Sequence, residues 1–375
     1  MIHGHGGNIN KVARQINCRP SEIIDMSSNI NPLGPPPGLW HYLKENLETI
    51  ARLPEVDAGE TTKRFGSFLG IDSNCLLAGN GTTQFIYTLP QILETRKALI
   101  VGPPYADYGD ACHLQGIPHA FVMTDESNEF IPALGQIKKN LAAADTVFIC
   151  NPNNPTGALV PSDRLRDLCR SYPEKNFIVD ESYLEFVPDA ENCTMVNSGL
   201  DNVIVLLSIS KIFKIPGLRI GFLAAAENRT QKFKKLMLPW SVNSLAQLAI
   251  HYICDNRAMI RSFISETRAY ISDQRQQFYR AVCCHADRFR LFNSQTPFVL
   301  IKSNRGLSAN YVWQSLARDK LLIRRCSNIK KLSDSFIRIS LKSKDKNRLV
   351  VSRLIELAQV QDTEAGTLKE LRVAC

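Results

Sequence analysis

Four apolar runs constrain the fold of this chain more than any other feature: Lys97 to Tyr105, Thr146 to Asn154, Asn176 to Tyr183 and Val203 to Lys211. Each is apolar at successive positions and breaks off into a polar or glycine-rich stretch. A strand with one wet face alternates apolar and polar residues, so runs this continuous must be covered on both faces. Helical patterns lie between several of them, as at Pro161 to Tyr172, where Ser162 and Asp163 are placed as N-terminal helix signals. Strands alternating with helices predict an α/β fold with a mainly parallel central sheet.

After Asn256 the pattern changes to a long polar stretch of helical period, Arg257 to Ala281, followed by two isolated strand candidates, Phe298 to Ser303 and Phe336 to Leu341. That change predicts a large domain over 45–256 and a smaller α/β domain built from 257–375. The first forty residues, rich in Gly, Pro and Asn, are too irregular to fold alone, so 1–44 is expected to lie against the smaller domain.

The 375 residues, 44% hydrophobic and 22% charged, suffice for one large core and a smaller one. No apolar run approaches the roughly 18 to 20 residues of a membrane span, and the start Met-Ile-His-Gly-His-Gly-Gly-Asn lacks the basic and apolar regions of a signal peptide. No membrane association and a cytoplasmic location are expected. The 11 cysteines are scattered without a C-x-x-C pair, which favours reduced thiols over a disulfide framework, and no metal site is expected. The net charge of +9 gathers partly between Arg324 and Arg348, but aromatic residues are not interleaved there as a nucleic-acid stacking platform requires. The excess is expected to attract anionic small-molecule substrates, and part of it to be solvated surface.

The chemistry sits where the apolar runs end, which is where open α/β sheets bind ligands. Ser208-Ile-Ser210-Lys211 closes one run, and Arg219 follows eight positions later. Two hydroxyls and a fork-shaped guanidinium beside an amine are the donors a phosphate anchor needs. Asn151-Pro-Asn-Asn154-Pro-Thr-Gly closes a second run, and Val179-Asp180-Glu-Ser-Tyr183 a third. A carboxylate at the end of an apolar run is costly without a cationic partner, and a protonated pyridine nitrogen would be one. Asn80-Gly81-Thr82-Thr83-Gln84 precedes a helical pattern, so its N–H groups can cradle a phosphate.

In this order and spacing the segments resemble the fold-type I pyridoxal 5′-phosphate (PLP) enzymes, the aspartate-aminotransferase superfamily. The resemblance implies Lys211 as the Schiff-base lysine. It assigns the cofactor phosphate to Gly81, Thr82, Thr83, Ser208, Ser210 and Arg219, the ring hydroxyl to Asn154 and Tyr183, the pyridine nitrogen to Asp180 and stacking on the ring to Tyr105. Lys211, Asp180 and Tyr183 are the implied catalytic residues.

Within the superfamily the ends of the chain are similar to the threonine-phosphate decarboxylases of cobalamin biosynthesis, near relatives of histidinol-phosphate aminotransferases. His5-Gly6-Gly7-Asn8, Asp25 through Gly34, Leu322 through Asn328 and Phe336 through Ser340 carry that likeness. It implies decarboxylation of an amino-acid O-phosphate, threonine or serine phosphate, by a homodimer, with His5, Gly6, Asn31, Gly34, Asn154, Arg324 and Arg338 binding the substrate. The doublet Arg324-Arg325 leaves open which side chain faces inward. Two departures stand out. Leu53 replaces a tyrosine that in relatives reaches the neighbouring subunit's cofactor phosphate, and Arg325 replaces an acid, which adds charge near the substrate phosphate. A histidinol-phosphate-type transaminase would use the same cofactor residues.

Overall fold

The computed structural model describes residues 6–373, with side-chain surroundings given as far as residue 359. Thirteen strands run through the described residues: β1 (Ile24–Asp25), β2 (Leu76–Gly79), β3 (Ala98–Gly102), β4 (His119–Met123), β5 (Thr146–Cys150), β6 (Asn176–Asp180), β7 (Val203–Leu207), β8 (Gly221–Ala224), β9 (Phe289–Leu291), β10 (Phe298–Ser303), β11 (Leu321–Leu322), β12 (Arg324–Arg325) and β13 (Phe336–Ser340). Seven form one sheet in the order β2-β8-β7-β6-β5-β3-β4. Only β8 runs antiparallel to its neighbours, so the sheet is mostly parallel. This is the mainly parallel α/β sheet that the sequence predicts.

The four apolar runs supply β3, β5, β6 and β7, buried on both faces with Val147, Ile178 and Ile204 at 0% exposure. Each observed strand is shorter than its run by three or four residues at the carboxyl end. Those residues, Pro103 to Tyr105, Asn151 to Asn154, Glu181 to Tyr183 and Ser208 to Lys211, bear the site; the first three stretches are loops, and the last runs into a one-turn helix, Ile209–Ile212. The helix expected over Pro161 to Tyr172 spans Ser162–Ser171, and Ser162 lies inside it, donating to the Asn192 carbonyl instead of capping.

Beyond the large sheet, the helix Arg257–Val282 leads to a four-stranded sheet, β12-β13-β10-β9. The N-terminal arm docks on this part of the chain: β1 pairs in parallel with β11, and Val12 and Ala13 of the helix Ile9–Gln15 pack with Ala317 and Leu322. The segment 126–130 ties the smaller sheet to the larger. Lys302 Nζ meets Glu126 at 2.6 Å, Arg290 meets Glu129 at 3.0 Å, and Phe130 packs against Phe292 and Phe336. No helix among the described residues is long and apolar enough to cross a membrane. All ten described cysteines are free thiols.

Candidate active site

The loops beyond β2, β3, β5, β6 and β7 converge on one cavity of about 290 Å³, closed on its far side by the N-terminal arm and by β12 and β13. β2 is antiparallel to β8 and β8 to β7, so all five strands point their carboxyl ends the same way. Every cofactor residue implied by the sequence lines this cavity, as do Gly6, Arg324 and Arg338.

One wall is an anion cup. The helix Gly81–Ile92 starts at Asn80, whose side chain caps none of its N–H groups. Orphan donors at a helix start attract negative charge. Gly81 has φ 71°, and a Cβ there would stand 2.8 Å from Arg219 Nη2. A Cβ on Gly221 would stand 2.6 Å from the Thr82 nitrogen. Glycine at both positions lets the arginine and the β8 backbone close on the helix start. Ser208 and Ser210 hydroxyls lie 3.1 Å apart beside them, and Arg219 donates only to the Pro216 carbonyl, with no carboxylate among the described residues as partner.

The opposite end of the cavity floor is acidic. Asp180 Oδ1 accepts from the Ser182 N–H at 2.9 Å and from its hydroxyl at 2.5 Å, while Oδ2 accepts from the Tyr108 hydroxyl at 2.7 Å. Lys211 lies between floor and cup. Burial, the Arg219 guanidinium and Arg338 lower its proton affinity, and Asp180 opposes them. A lysine so placed supplies the neutral amine that nucleophilic chemistry needs. The buried Tyr183 hydroxyl accepts from Asn29 Nδ2 at 3.2 Å, and burial pushes its proton affinity up to about 12.

Toward the smaller sheet, Arg338 on β13 pairs in register with Arg324 on β12. Arg338 is 6% exposed and donates to the Asn154 side chain and, at 2.8 Å, to the Ser27 carbonyl. Its Nε has no partner, and no acidic side chain among the described residues pairs with it. Arg324 donates to Asn328 Oδ1 at 2.8 Å.

Three residues lie apart from the cavity lining. Arg325 does not add charge to the cavity, because side chains alternate along β12: its guanidinium lies over the Trp313 ring at 4.8 Å and bonds Asn310. Asn31 lies outside the cavity lining at 0% exposure; its side chain donates to the Ile212 carbonyl and Thr267 and accepts from the Leu33 N–H. It holds the lysine loop in place, its own N–H donating to the Lys211 carbonyl at 3.0 Å. Gly34 is likewise absent from the lining and touches nothing through a Cβ position. His5 lies outside the described residues. Sequence reasoning assigned no role to Ser27, Ser28, Asn29 or Tyr108, all in the lining. The density of Ser and Asn in Asp25 to Asn31 was the one local signal for the first three.

Residues 21–354 match the aminotransferase class I and II family. The chain is 29% identical to threonine-phosphate decarboxylase of Salmonella typhimurium, over 93% of this chain and 95% of that protein. Among solved structures it is similar to L-threonine-O-3-phosphate decarboxylase of Porphyromonas gingivalis (26% identity, TM-score 0.75, 88% of this chain and 98% of that one). It is also similar to histidinol-phosphate aminotransferase of Clostridium acetobutylicum (27% identity, TM-score 0.81, 89% and 98%). The family depends on PLP, and the cavity has the donors that cofactor needs: an uncapped helix start with two hydroxyls and an unpaired guanidinium for its phosphate, a hydrogen-bonded carboxylate, and an amine of lowered proton affinity. The match over nearly the whole chain, with a cavity that fits the family's cofactor, makes this protein a member of the class I and II aminotransferase family.

Proposed function

We propose that this chain is a PLP-dependent decarboxylase of an amino-acid O-phosphate, converting L-threonine O-3-phosphate to (R)-1-amino-2-propanol O-2-phosphate, or L-serine O-phosphate to ethanolamine phosphate, for the nucleotide loop of cobalamin. The observation that carries the reading is Arg338, a buried guanidinium with a free Nε and no acidic partner among the described residues, in the same cavity as Lys211. Burying an unpaired charge is costly, and a substrate carboxylate would offset that cost.

Thr82, Thr83, Ser208, Ser210 and Arg219 would hold the cofactor phosphate. Asn154 and Tyr183 would bond the ring hydroxyl, Tyr105 would cover a ring face, and Asp180 would keep the ring nitrogen protonated. Bound there, PLP supplies an electron sink for the pair left when a bond to Cα breaks. The residues of the chain decide which bond that is. Arg338 and Arg324 would grip the two anionic ends of the substrate and so fix its rotation about Cα. Lys211, as the only lysine lining the cavity among the described residues, would return a proton to Cα after CO₂ has left.

A homodimer is part of this reading. Leu47, Ile50, Leu53 and Val56 are all exposed, and Trp240, also exposed, donates its backbone N–H to the Val56 carbonyl at 2.8 Å. Exposed apolar residues grouped in this way favour a protein partner. The test is CO₂ release from L-threonine phosphate and L-serine phosphate, separately, by the PLP-loaded protein, with Lys211→Ala as control. Lysine-dependent release supports the reading. Silence with both substrates, with turnover only when 2-oxoglutarate and an amino donor are supplied, would make the chain a transaminase.

A further inference from the structure

We infer that Tyr108 is a positioning residue for Asp180, holding that carboxylate in the orientation in which it meets the cofactor nitrogen. The inference rests on the assignment of Asp180 to that nitrogen and adds to it a residue 72 positions away in the chain.

Both oxygens of Asp180 are held, by different means. Oδ1 is gripped locally, by the N–H and hydroxyl of Ser182, two residues on. Oδ2 has the Tyr108 hydroxyl, at 2.7 Å, from the helix Ala106–Leu114. A carboxylate pinned at one oxygen still turns about its Cβ–Cγ bond, and a donor on the second oxygen stops that rotation. The tyrosine is itself fixed: it is 1% exposed, its ring is stacked on Phe148 of β5 at 5.3 Å, and Tyr105 meets it edge-on at 5.7 Å. Burial and the neighbouring Asp180 charge push its proton affinity well above the usual range, so it remains a donor. Tyr108 and Asp180 both line the cavity, which places the bond at the edge of the cofactor site and not in the remote core. A hydrogen bond to a charged group contributes more than one between neutral groups, and a buried one most of all.

Tyr108→Phe removes the hydroxyl and keeps the ring on Phe148. Three proteins test the inference: Tyr108→Phe, Asp180→Asn and the double variant. The readouts are PLP affinity by fluorescence titration and the pH midpoint of the bound chromophore's absorbance. For Tyr108→Phe we expect PLP to bind about tenfold more weakly. The midpoint should move up by about one unit, because a ring carrying less positive charge holds its remaining proton more tightly. In the Asp180→Asn background the same change should add less than twofold, since the charge that Tyr108 orients toward the ring nitrogen is gone. Equal effects in both backgrounds would show a tyrosine that merely supports the core and would overturn the inference. So would a strong effect of Asp180→Asn with none of Tyr108→Phe, and that outcome leaves the role of Asp180 standing. An Asp180→Asn protein with unchanged affinity and midpoint would overturn the Asp180 assignment and this inference with it.

Discussion

Arg338→Met is the substitution on which the proposed chemistry can be judged most sharply. Methionine is close to arginine in volume and can fill the space against Phe298, over whose ring the guanidinium sits at 5.2 Å. The charge disappears, and with it two hydrogen bonds, to Asn154 and to the Ser27 carbonyl. For the resting fold the balance is small. Two acceptors lose a donor, at about 1 to 3 kcal/mol each, while a buried cation without an acidic partner is removed. We expect a net change within about 2 kcal/mol and a Tm shift of only a few degrees. For the substrate the balance is one-sided. Its carboxylate would enter a buried site that has lost its counter-charge, at about 3 to 5 kcal/mol, or roughly 150- to 5,000-fold in kcat/KM. Arg338→Lys keeps the charge but not the planar fork and should recover only part of that loss. The assay is steady-state CO₂ release, with cofactor loading checked by absorbance and the fold by thermal melting. A fully loaded Arg338→Met protein whose kcat/KM stays within about fivefold of the parent refutes the reasoning.

Two further outcomes follow from the same geometry. Gly81→Ala forces a side chain into a backbone with φ 71° and places its Cβ 2.8 Å from Arg219 Nη2, so the arginine must leave the cup; PLP affinity should fall about tenfold or more, from about 1 to 2 kcal/mol of strain and a lost phosphate contact. Unchanged affinity in a fluorescence titration would dismiss the cup. Glu181 is raised from 4.5 to about 8, chiefly by burial and against the bonds it accepts from Thr194 and the Met195 N–H. The folded chain therefore holds a proton that the unfolded chain has released. This contribution to stability is whole below pH 4.5, declines as pH rises, and is gone above about 8. Glu181→Gln cannot titrate, and denaturant unfolding between pH 5 and 8 should show a slope flatter by up to about 1.4 kcal/mol per pH unit. Parallel profiles for the two proteins would count against a buried, neutral Glu181.

The sequence alone was enough for the fold class and for most of the cavity floor. A parallel strand covered on both faces is apolar throughout, so its polar residues fall at its end, and the ends of β5, β6 and β7 bring Asn154, Asp180, Tyr183, Ser208 and Lys211 together at one edge. What pattern could not reach were contacts between segments far apart in the chain. Tyr183 takes its bond from Asn29, 154 positions away, and Asp180 from Tyr108. Arg324 and Arg325 are indistinguishable as neighbours; the pairing of β12 with β13 turns one into the cavity and the other onto Trp313. Asn31 has the composition of a ligand-binding residue but is spent on Ile212 and Thr267. Local pattern determines which face of an element is buried. Which group a buried polar side chain bonds is decided only when whole elements pack, because every such group must find a partner among whatever the tertiary fold brings within reach.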